Sequence, residues 1–352
     1  MTDLLKIENL EVKLHLREGV VNALHDVNMT VPAGKILAVV GESGCGKSMT
    51  AKCLLGLLPE RARIARGSMK LASTTGAPTV DIARLPQNSP EMRRIRGKRI
   101  SMIFQEPMAS FSPVHTIGDQ IGEVVRLHEN VSRREARSRV IELLALVSIP
   151  QPKRRVDAYP HELSGGLRQR AMIAMALAVR PELVVADEPT TALDVTIQGQ
   201  VLNLLRDLQQ KFGMAIMLIT HDLGVVAQVA DDVAVMYLGR VVEANSVQGI
   251  FREPRHPYTR GLLDSVPRLG SGNTPRLASI PGSVPSAFVR VAGCPFHPRC
   301  EHAIAGVCDV GAPPPETHFA DGASVACVLY NDNRGGLPPY TPVAAAPAGG
   351  AR

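Results

Sequence analysis

Tryptophan is absent from the 352 residues, and aromatic side chains make up only 3% of them. That scarcity excludes the stacking platforms on which single-stranded nucleic acids are held. The formal charge of +6 therefore reads as a dispersed, solvated surface, and no nucleic-acid partner is expected. Long apolar runs are missing as well: even Met172 to Val179 stops at Arg180, short of the roughly 18 residues that span a bilayer. Any membrane role is expected to be peripheral. The start of the chain, where Asp3, Lys6, Glu8 and Glu11 alternate with apolar residues, reads as a strand rather than a signal peptide, and no export is expected. Without export the six cysteines are expected to stay reduced, which disfavours disulfides and favours metal binding for any cluster. The densest basic stretch, Arg93, Arg94, Arg96, Lys98 and Arg99, reads as solvated surface, with anionic lipid headgroups as the alternative partner.

What is present alternates in a regular way. Val20 to Val31 reads as a strand region, Lys35 to Val40 as a short buried strand, and a helix is expected from near Lys47. A Gly-, Pro- and Arg-rich connection after Gly56 leads to a strand at Ile100 to Phe104 and then to Gln105. Helical spacing from Ile117 to Val147, with Arg133, Arg134, Arg137 and Arg139 on exposed faces, marks a helical insertion of about residues 109–170. Leu183 to Ala186 and Ala215 to Thr220 are two further buried strands with a helix between them. Such alternation implies an α/β fold on a parallel sheet. Composition divides the chain into residues 1–250, a Pro- and Cys-rich segment 251–330, and a Pro-, Gly- and Ala-rich tail 331–352 expected to be disordered.

Gly41-Glu42-Ser43-Gly44-Cys45-Gly46-Lys47-Ser48, followed by Met49, matches G-x-x-x-x-G-K-[ST] and sits between a buried strand and a helix. Its glycines let backbone N–H groups converge on phosphate oxygens at the positive end of the helix. Lys47 suits the β and γ phosphates, and Ser48 suits Mg²⁺. Cys45 reads as a small space-filling residue, with a lowered thiol pKa as the alternative.

Downstream come Leu163-Ser164-Gly165-Gly166-Leu167-Arg168-Gln169-Arg170, Leu183-Val184-Val185-Ala186-Asp187-Glu188, Thr191-Ala192-Leu193-Asp194 and His221. With the phosphate loop and Gln105, these segments resemble the signature, Walker B, D-loop, switch-histidine and Q-loop motifs of ABC-type ATPases. The resemblance implies a RecA-like parallel core, an N-terminal antiparallel β subdomain, a helical subdomain insertion and ATP hydrolysis with Mg²⁺. It gives Asp187, with Ser48 and Gln105, to Mg²⁺, and Glu188, His221 and Gln105 to catalysis. It further implies that Ser164, Gly165 and Gly166 act in trans, completing the site of a second cassette. Read alone, the Ser-Gly-Gly segment is a plain helix cap and His221 a structural histidine. The family's aromatic adenine platform is missing: Val12 to Arg17 offers only His15.

Tyr159-Pro160-His161-Glu162, Arg255-His256-Pro257-Tyr258-Thr259-Arg260, Ile280-Pro281-Gly282 and Cys294-Pro295-Phe296-His297-Pro298-Arg299-Cys300 resemble the oligopeptide/dipeptide permease branch of that family. The branch implies an importer on the cytoplasmic side of the cell membrane. Its partners are a second, related ATPase subunit, two transmembrane permease subunits and an extracytoplasmic solute-binding protein. Nickel or glutathione import, a soluble non-transport ATPase and a redox-sensing module are the competing readings. Cys294, Cys300, Cys308 and Cys327 in a small C-terminal domain offer four thiolates, suited to Fe–S or tetrahedral Zn²⁺. Resemblance to the branch implies a [4Fe–4S] cluster, and Zn²⁺ or unligated thiols stay open.

Overall fold

The protein is described from a computed structural model covering residues 2–74, 76–106, 110–191, 193–266, 280–286, 288–289, 291–331 and 334–341. Two long strands, β1 (Asp3–Leu16) and β2 (Gly19–Pro32), form an antiparallel hairpin. β3 (Ile36–Val40) ends at the phosphate loop, and α1 (Lys47–Leu54) follows it. The Gly-, Pro- and Arg-rich connection is ordered, which the sequence reading missed. It holds β4 (Ala62–Leu71), antiparallel to β1, then β5 (Val80–Asp81) and α2 (Pro90–Ile95), capped by Ser89. The alternation of β4 is hidden because its pairing with β1 shifts register between Glu8 and Glu11, and such bulges break the period of two. The small sheet runs β2-β1-β4-β5.

β6 (Ile100–Ile103) leads through Gln105 towards the helical insertion, α3 (Ile117–His128) and α4 (Arg133–Leu146). Thr116 caps α3, and Ser132 with Glu135 forms a capping box on α4. Ile121, Val125, Ala136, Val140 and Leu144 face inwards at helical spacing, while Arg133, Arg134, Arg137 and Arg139 face solvent as expected. After the short α5 (Pro152–Arg155) come α6 (Gly165–Ala176), β7 (Leu183–Asp187), α7 (Val195–Phe212), β8 (Ala215–Thr220) and α8 (Leu223–Val229).

The large sheet runs β11-β12-β10-β9-β3-β8-β7-β6. The expected parallel sheet is present from β9 to β6. Its other edge differs: β9 (Asp232–Tyr237) turns back into β10 (Arg240–Ser246), and β12 (Ser324–Val325) and β11 (Thr317–His318) continue antiparallel, so the sheet is mixed. The reversal is local. Leu238 (φ +43°) and Gly239 (φ +76°) form a two-residue loop with both residues at positive φ, the turn that matches strand twist.

β3, β7 and β8 are buried along their whole length, as parallel strands covered on both faces must be. Leu183, Val185, Met217 and Ile219 face a core shared with α1 and the small sheet, whereas Val184, Ala186, Ile216 and Leu218 face the helical layer. A third core joins Ala38, Val40, Val235 and Tyr237 to Tyr258, Leu263, Cys294, Phe296 and Cys308. The C-terminal segment, with α9 (Val247–Arg252) and α10 (Pro257–Asp264), therefore packs on the cassette's own sheet. In the stretch assigned by composition to the tail, Tyr340 Oη donates to Asp264 (2.7 Å) and Arg260 to the carbonyl of Pro338 (2.7 Å); residues 342–352 lie outside the described residues. Within the basic stretch, Arg96 donates to the carbonyls of Leu55, Gly56 and Gln87, and Arg99 pairs with Glu182 at 2.8 Å. Those two guanidiniums hold the fold, leaving Arg93, Arg94 and Lys98 exposed.

Candidate functional site

The phosphate loop leaves β3 and curls over the start of α1. A Cβ on Gly41 would lie 2.1 Å from the carbonyl oxygen of Met236, so only glycine lets the loop rest on β9. Lys47 is buried, its ammonium donating to the carbonyls of Gly41 (2.7 Å) and Glu42 (3.0 Å). Those bonds hold the cation beside the loop it would share with phosphate oxygens. Cys45 is buried in the core, and burial raises its thiol pKa, which supports the space-filling reading over the reactive one. Met49 sits half-buried on α1 against the same core.

β7 delivers two acids with different surroundings. Asp187 accepts from Ser48 Oγ at 3.0 Å, and burial, with Glu188 beside it, holds its carboxyl above the ordinary carboxylate range. An all-oxygen pair held this close is a donor set that suits Mg²⁺. Glu188 is the hub. Gln105 Nε2 donates to its Oε2 at 3.0 Å, Thr191 Oγ1 donates to the same oxygen at 2.8 Å, and His221 Nδ1 lies 3.2 Å from Oε1. Burial pushes this carboxyl up, but the Thr191 hydroxyl and the His221 ring outweigh it and hold the pKa below the ordinary value. Glu188 also sits at φ +46°, a strained setting for a non-glycine residue that the hydrogen bond from its N–H to the Ile219 carbonyl helps retain. The five residues expected at the catalytic centre, Ser48, Gln105, Asp187, Glu188 and His221, thus meet in two connected groups.

Ser164 precedes α6 without a side-chain capping bond, and Ser164 and Gly165 are exposed. The first turn of α6 therefore keeps free N–H groups, the property an anion requires. Asp194 caps α7 through the amide of Ile197 (2.9 Å), while Ala192 lies outside the described residues. His15 is exposed near the tip of the β1–β2 hairpin, opposite Val20.

Cys294, Cys300, Cys308 and Cys327 line one small cavity with His256, Phe296, His297 and His302. As the side chains stand, no three His, Cys, Asp or Glu among the described residues are gathered closely enough to hold a metal ion. The assembled four-thiolate centre expected from the sequence is thus absent from this arrangement. A physical reason is at hand: burial pushes Cys300 up to about 11 and Cys327 up to about 12, so without a cation these groups are neutral thiols. Their sulfurs nonetheless meet backbone amides, Phe296 and His297 at Cys294, His302 at Cys300, Leu329 at Cys327, and Ile304 donating to Cys308 Sγ at 3.3 Å.

Comparison with known proteins bears on the whole chain. The ABC transporter profile matches residues 24–191, and the oligopeptide/dipeptide transporter C-terminal region matches residues 242–308. The dipeptide transport ATP-binding protein DppD of Bacillus subtilis is 46% identical over 332 residues, 94% of this chain and 96% of that one. This chain belongs to the ABC transporter ATP-binding proteins. The oligopeptide transport ATP-binding protein OppD of Salmonella typhimurium is 47% identical over 324 residues, 92% and 93% of the two chains. Among solved structures, the ATP-binding cassette MJ0796 in a dimeric post-hydrolysis state with ADP and Pi superposes with a TM-score of 0.60 at 25% identity. It covers 69% of this chain and 98% of that one.

For an ABC ATPase, the residues that sequence reasoning left out are informative. Thr191, in the D-loop segment, donates its hydroxyl directly to the Glu188 carboxylate, and its place three residues after Glu188 is the signal the sequence offers. Tyr258 and Arg299 lie in the two branch motifs Arg255 to Arg260 and Cys294 to Cys300. In the fold, Tyr258 Oη accepts the N–H of Glu42 at 2.9 Å, and the Arg299 guanidinium holds the Glu42 carboxylate at 2.7 and 3.0 Å.

Proposed function

We propose that this ABC ATPase powers the import of peptides as one of two nucleotide-hydrolysing subunits on the cytoplasmic face of a membrane transporter. The observation that supports the reaction most directly is the anchored Glu188, hydrogen-bonded by Gln105 and held ionised by Thr191 and His221, beside the Mg²⁺-suited pair Ser48 and Asp187. In this reading Mg²⁺, when bound, neutralises charge on the phosphates. Lys47 moves from the loop carbonyls to the β and γ phosphates. Glu188 orients the attacking water and accepts its proton on the carboxylate, while Gln105 and His221 keep that carboxylate in place. The exposed start of α6 at Ser164, Gly165 and Gly166 belongs to the facing site of a second cassette, whose triphosphate it completes.

Peptide as the cargo is supported by the named transporters of B. subtilis and S. typhimurium, which match over nearly their full length. The working assembly then contains two transmembrane permease subunits, an extracytoplasmic solute-binding protein and a related, non-identical second cassette. Among the described residues no helix is long and apolar enough to cross a membrane, so attachment rests on those subunits. Replacing Glu188 by Gln should leave ATP affinity unchanged and lower turnover by at least about a hundredfold, since only water activation is removed. ATPase assays with and without peptide-loaded binding protein in reconstituted vesicles check both the chemistry and the cargo; wild-type turnover in that variant, or no stimulation by any peptide, overturns the corresponding part.

The four cysteines are proposed to hold a [4Fe–4S] cluster. Their common cavity and the amides aimed at each sulfur fit a thiolate-ligated group, whose iron ions would supply the positive charge that turns neutral thiols into ligands with release of their protons. Iron and sulfide analysis of anaerobically purified protein should give about four of each per chain. Stoichiometric zinc in their place makes the site a Zn²⁺ site.

A further inference from the structure

Glu42, the second residue of the phosphate loop, is gripped on three sides. Its carbonyl accepts from Lys47 Nζ (3.0 Å), its N–H donates to Tyr258 Oη (2.9 Å), and its carboxylate is chelated by both terminal nitrogens of Arg299. Two of these three holders come from beyond residue 250. Arg299 is itself fixed: its side chain is 4% exposed, its Nε donates to the carbonyl of Pro281 (3.0 Å), and its guanidinium lies 5.9 Å from the centre of the Tyr237 ring. Tyr258 packs against Tyr237 and Phe296 at ring separations of 4.7 and 5.4 Å. The phosphate loop therefore leans on a rigid aromatic and guanidinium wall supplied by the C-terminal segment.

A phosphate loop works only when its amides already point at one place, and ordering a loose loop at the moment of binding subtracts from affinity. A bidentate Arg–carboxylate pair is the polar contact best able to fix a loop residue in both position and direction. We infer that Arg299, acting through Glu42, is a positioning residue that presets the phosphate loop for ATP, so that nucleotide affinity depends on the C-terminal segment. The Arg299 guanidinium is engaged by the Glu42 carboxylate and the Pro281 carbonyl, so its effect passes through Glu42. Phe296, which lines the cavity bearing Cys294 and Cys300, is also part of this wall.

The inference rests on residues 41–48 being the ATP site, and its test separates the two. In the full-length chain, MgATP affinity is measured by equilibrium titration for wild type, Arg299→Met, Glu42→Gln and the double variant, with thermal unfolding of each in the absence of nucleotide. Arg299→Met should weaken ATP binding by roughly tenfold, within the usual range of site-to-site coupling. Glu42→Gln should weaken it less, and adding Glu42→Gln to Arg299→Met should cost nothing more. KM for ATP should rise while kcat at saturation changes by less than about twofold, since only ground-state positioning is lost. Unchanged affinity with a lower melting temperature makes Arg299 merely structural and overturns the inference, as do losses that add in the double variant. Should Arg299→Met fail to fold, Glu42→Gln alone decides: affinity equal to wild type overturns it. An ATP affinity that survives Lys47→Ala in an otherwise unaltered chain would instead overturn the phosphate-loop reading itself.

Discussion

Two neighbouring carboxyls on one strand end up with opposite tendencies, and the difference lies in what each is given. Asp187 has one hydroxyl and a like charge beside it, and burial carries its pKa upwards; Glu188 has the Thr191 hydroxyl and the His221 ring, and its pKa is carried down. An acid poised to hold Mg²⁺ and a base kept ionised follow from those partners. The sign gives a prediction. A base with a depressed pKa stays active as pH falls until that pKa is reached, so Thr191→Val, which removes one depressing bond and leaves burial in place, should move the acid limb of the kcat profile to higher pH. A steady-state ATPase pH profile checks it, and an unmoved limb would mean that Thr191 does not tune Glu188. The pair was legible in part: Glu188 beside Asp187 at the end of an apolar strand was readable from the residue string, but its bonds to Gln105 and His221 span 83 and 33 residues and required the fold.

Among the elements, the β9–β10 hairpin does more than reverse the chain. Gly239 N donates to the carbonyl of Cys45 (2.9 Å), and its carbonyl accepts from His25 N (2.7 Å), so one turn ties the phosphate loop to the small sheet. A Cβ there would lie 2.7 Å from the carbonyl oxygen of Ala23, at a positive φ. Gly239→Ala should therefore destabilise the chain by about 1–3 kcal/mol, the cost of a strained backbone position, and weaken ATP binding as well. Urea unfolding with nucleotide titration measures both, and an effect on stability without one on affinity would confine the turn to folding. The same element scale explains the missed strand. In β4 the inward phase set by Ala62 and Ile64 reaches Arg66 and is lost, then resumes one residue out of step at Met69 and Leu71, because β1 shifts register opposite Arg66, so pattern reading saw only a connection.

Across the whole molecule, the boundary drawn near residue 250 from composition does not coincide with a boundary between cores. β12 extends the cassette's sheet along β10, and Tyr258, Leu263, Cys294, Phe296 and Cys308 share a core with Ala38, Val40 and Tyr237. A chain cut after residue 250 would expose that core face and the edge of β10, a combination that favours aggregation. Residues 1–250 expressed alone are expected to be insoluble or to melt well below the full chain in calorimetry; an unchanged melting temperature would restore two independent domains. The sequence by itself determined the chemistry of each contiguous motif, because a glycine cradle, a helix-start Ser-Gly-Gly and an acid pair at a strand end act through neighbours in the chain. Only the tertiary structure decided the mixed order of the sheet and the grip of Arg299 on Glu42. Those contacts join residues up to 257 positions apart, and no local periodicity encodes which distant side chain a half-buried carboxylate will meet.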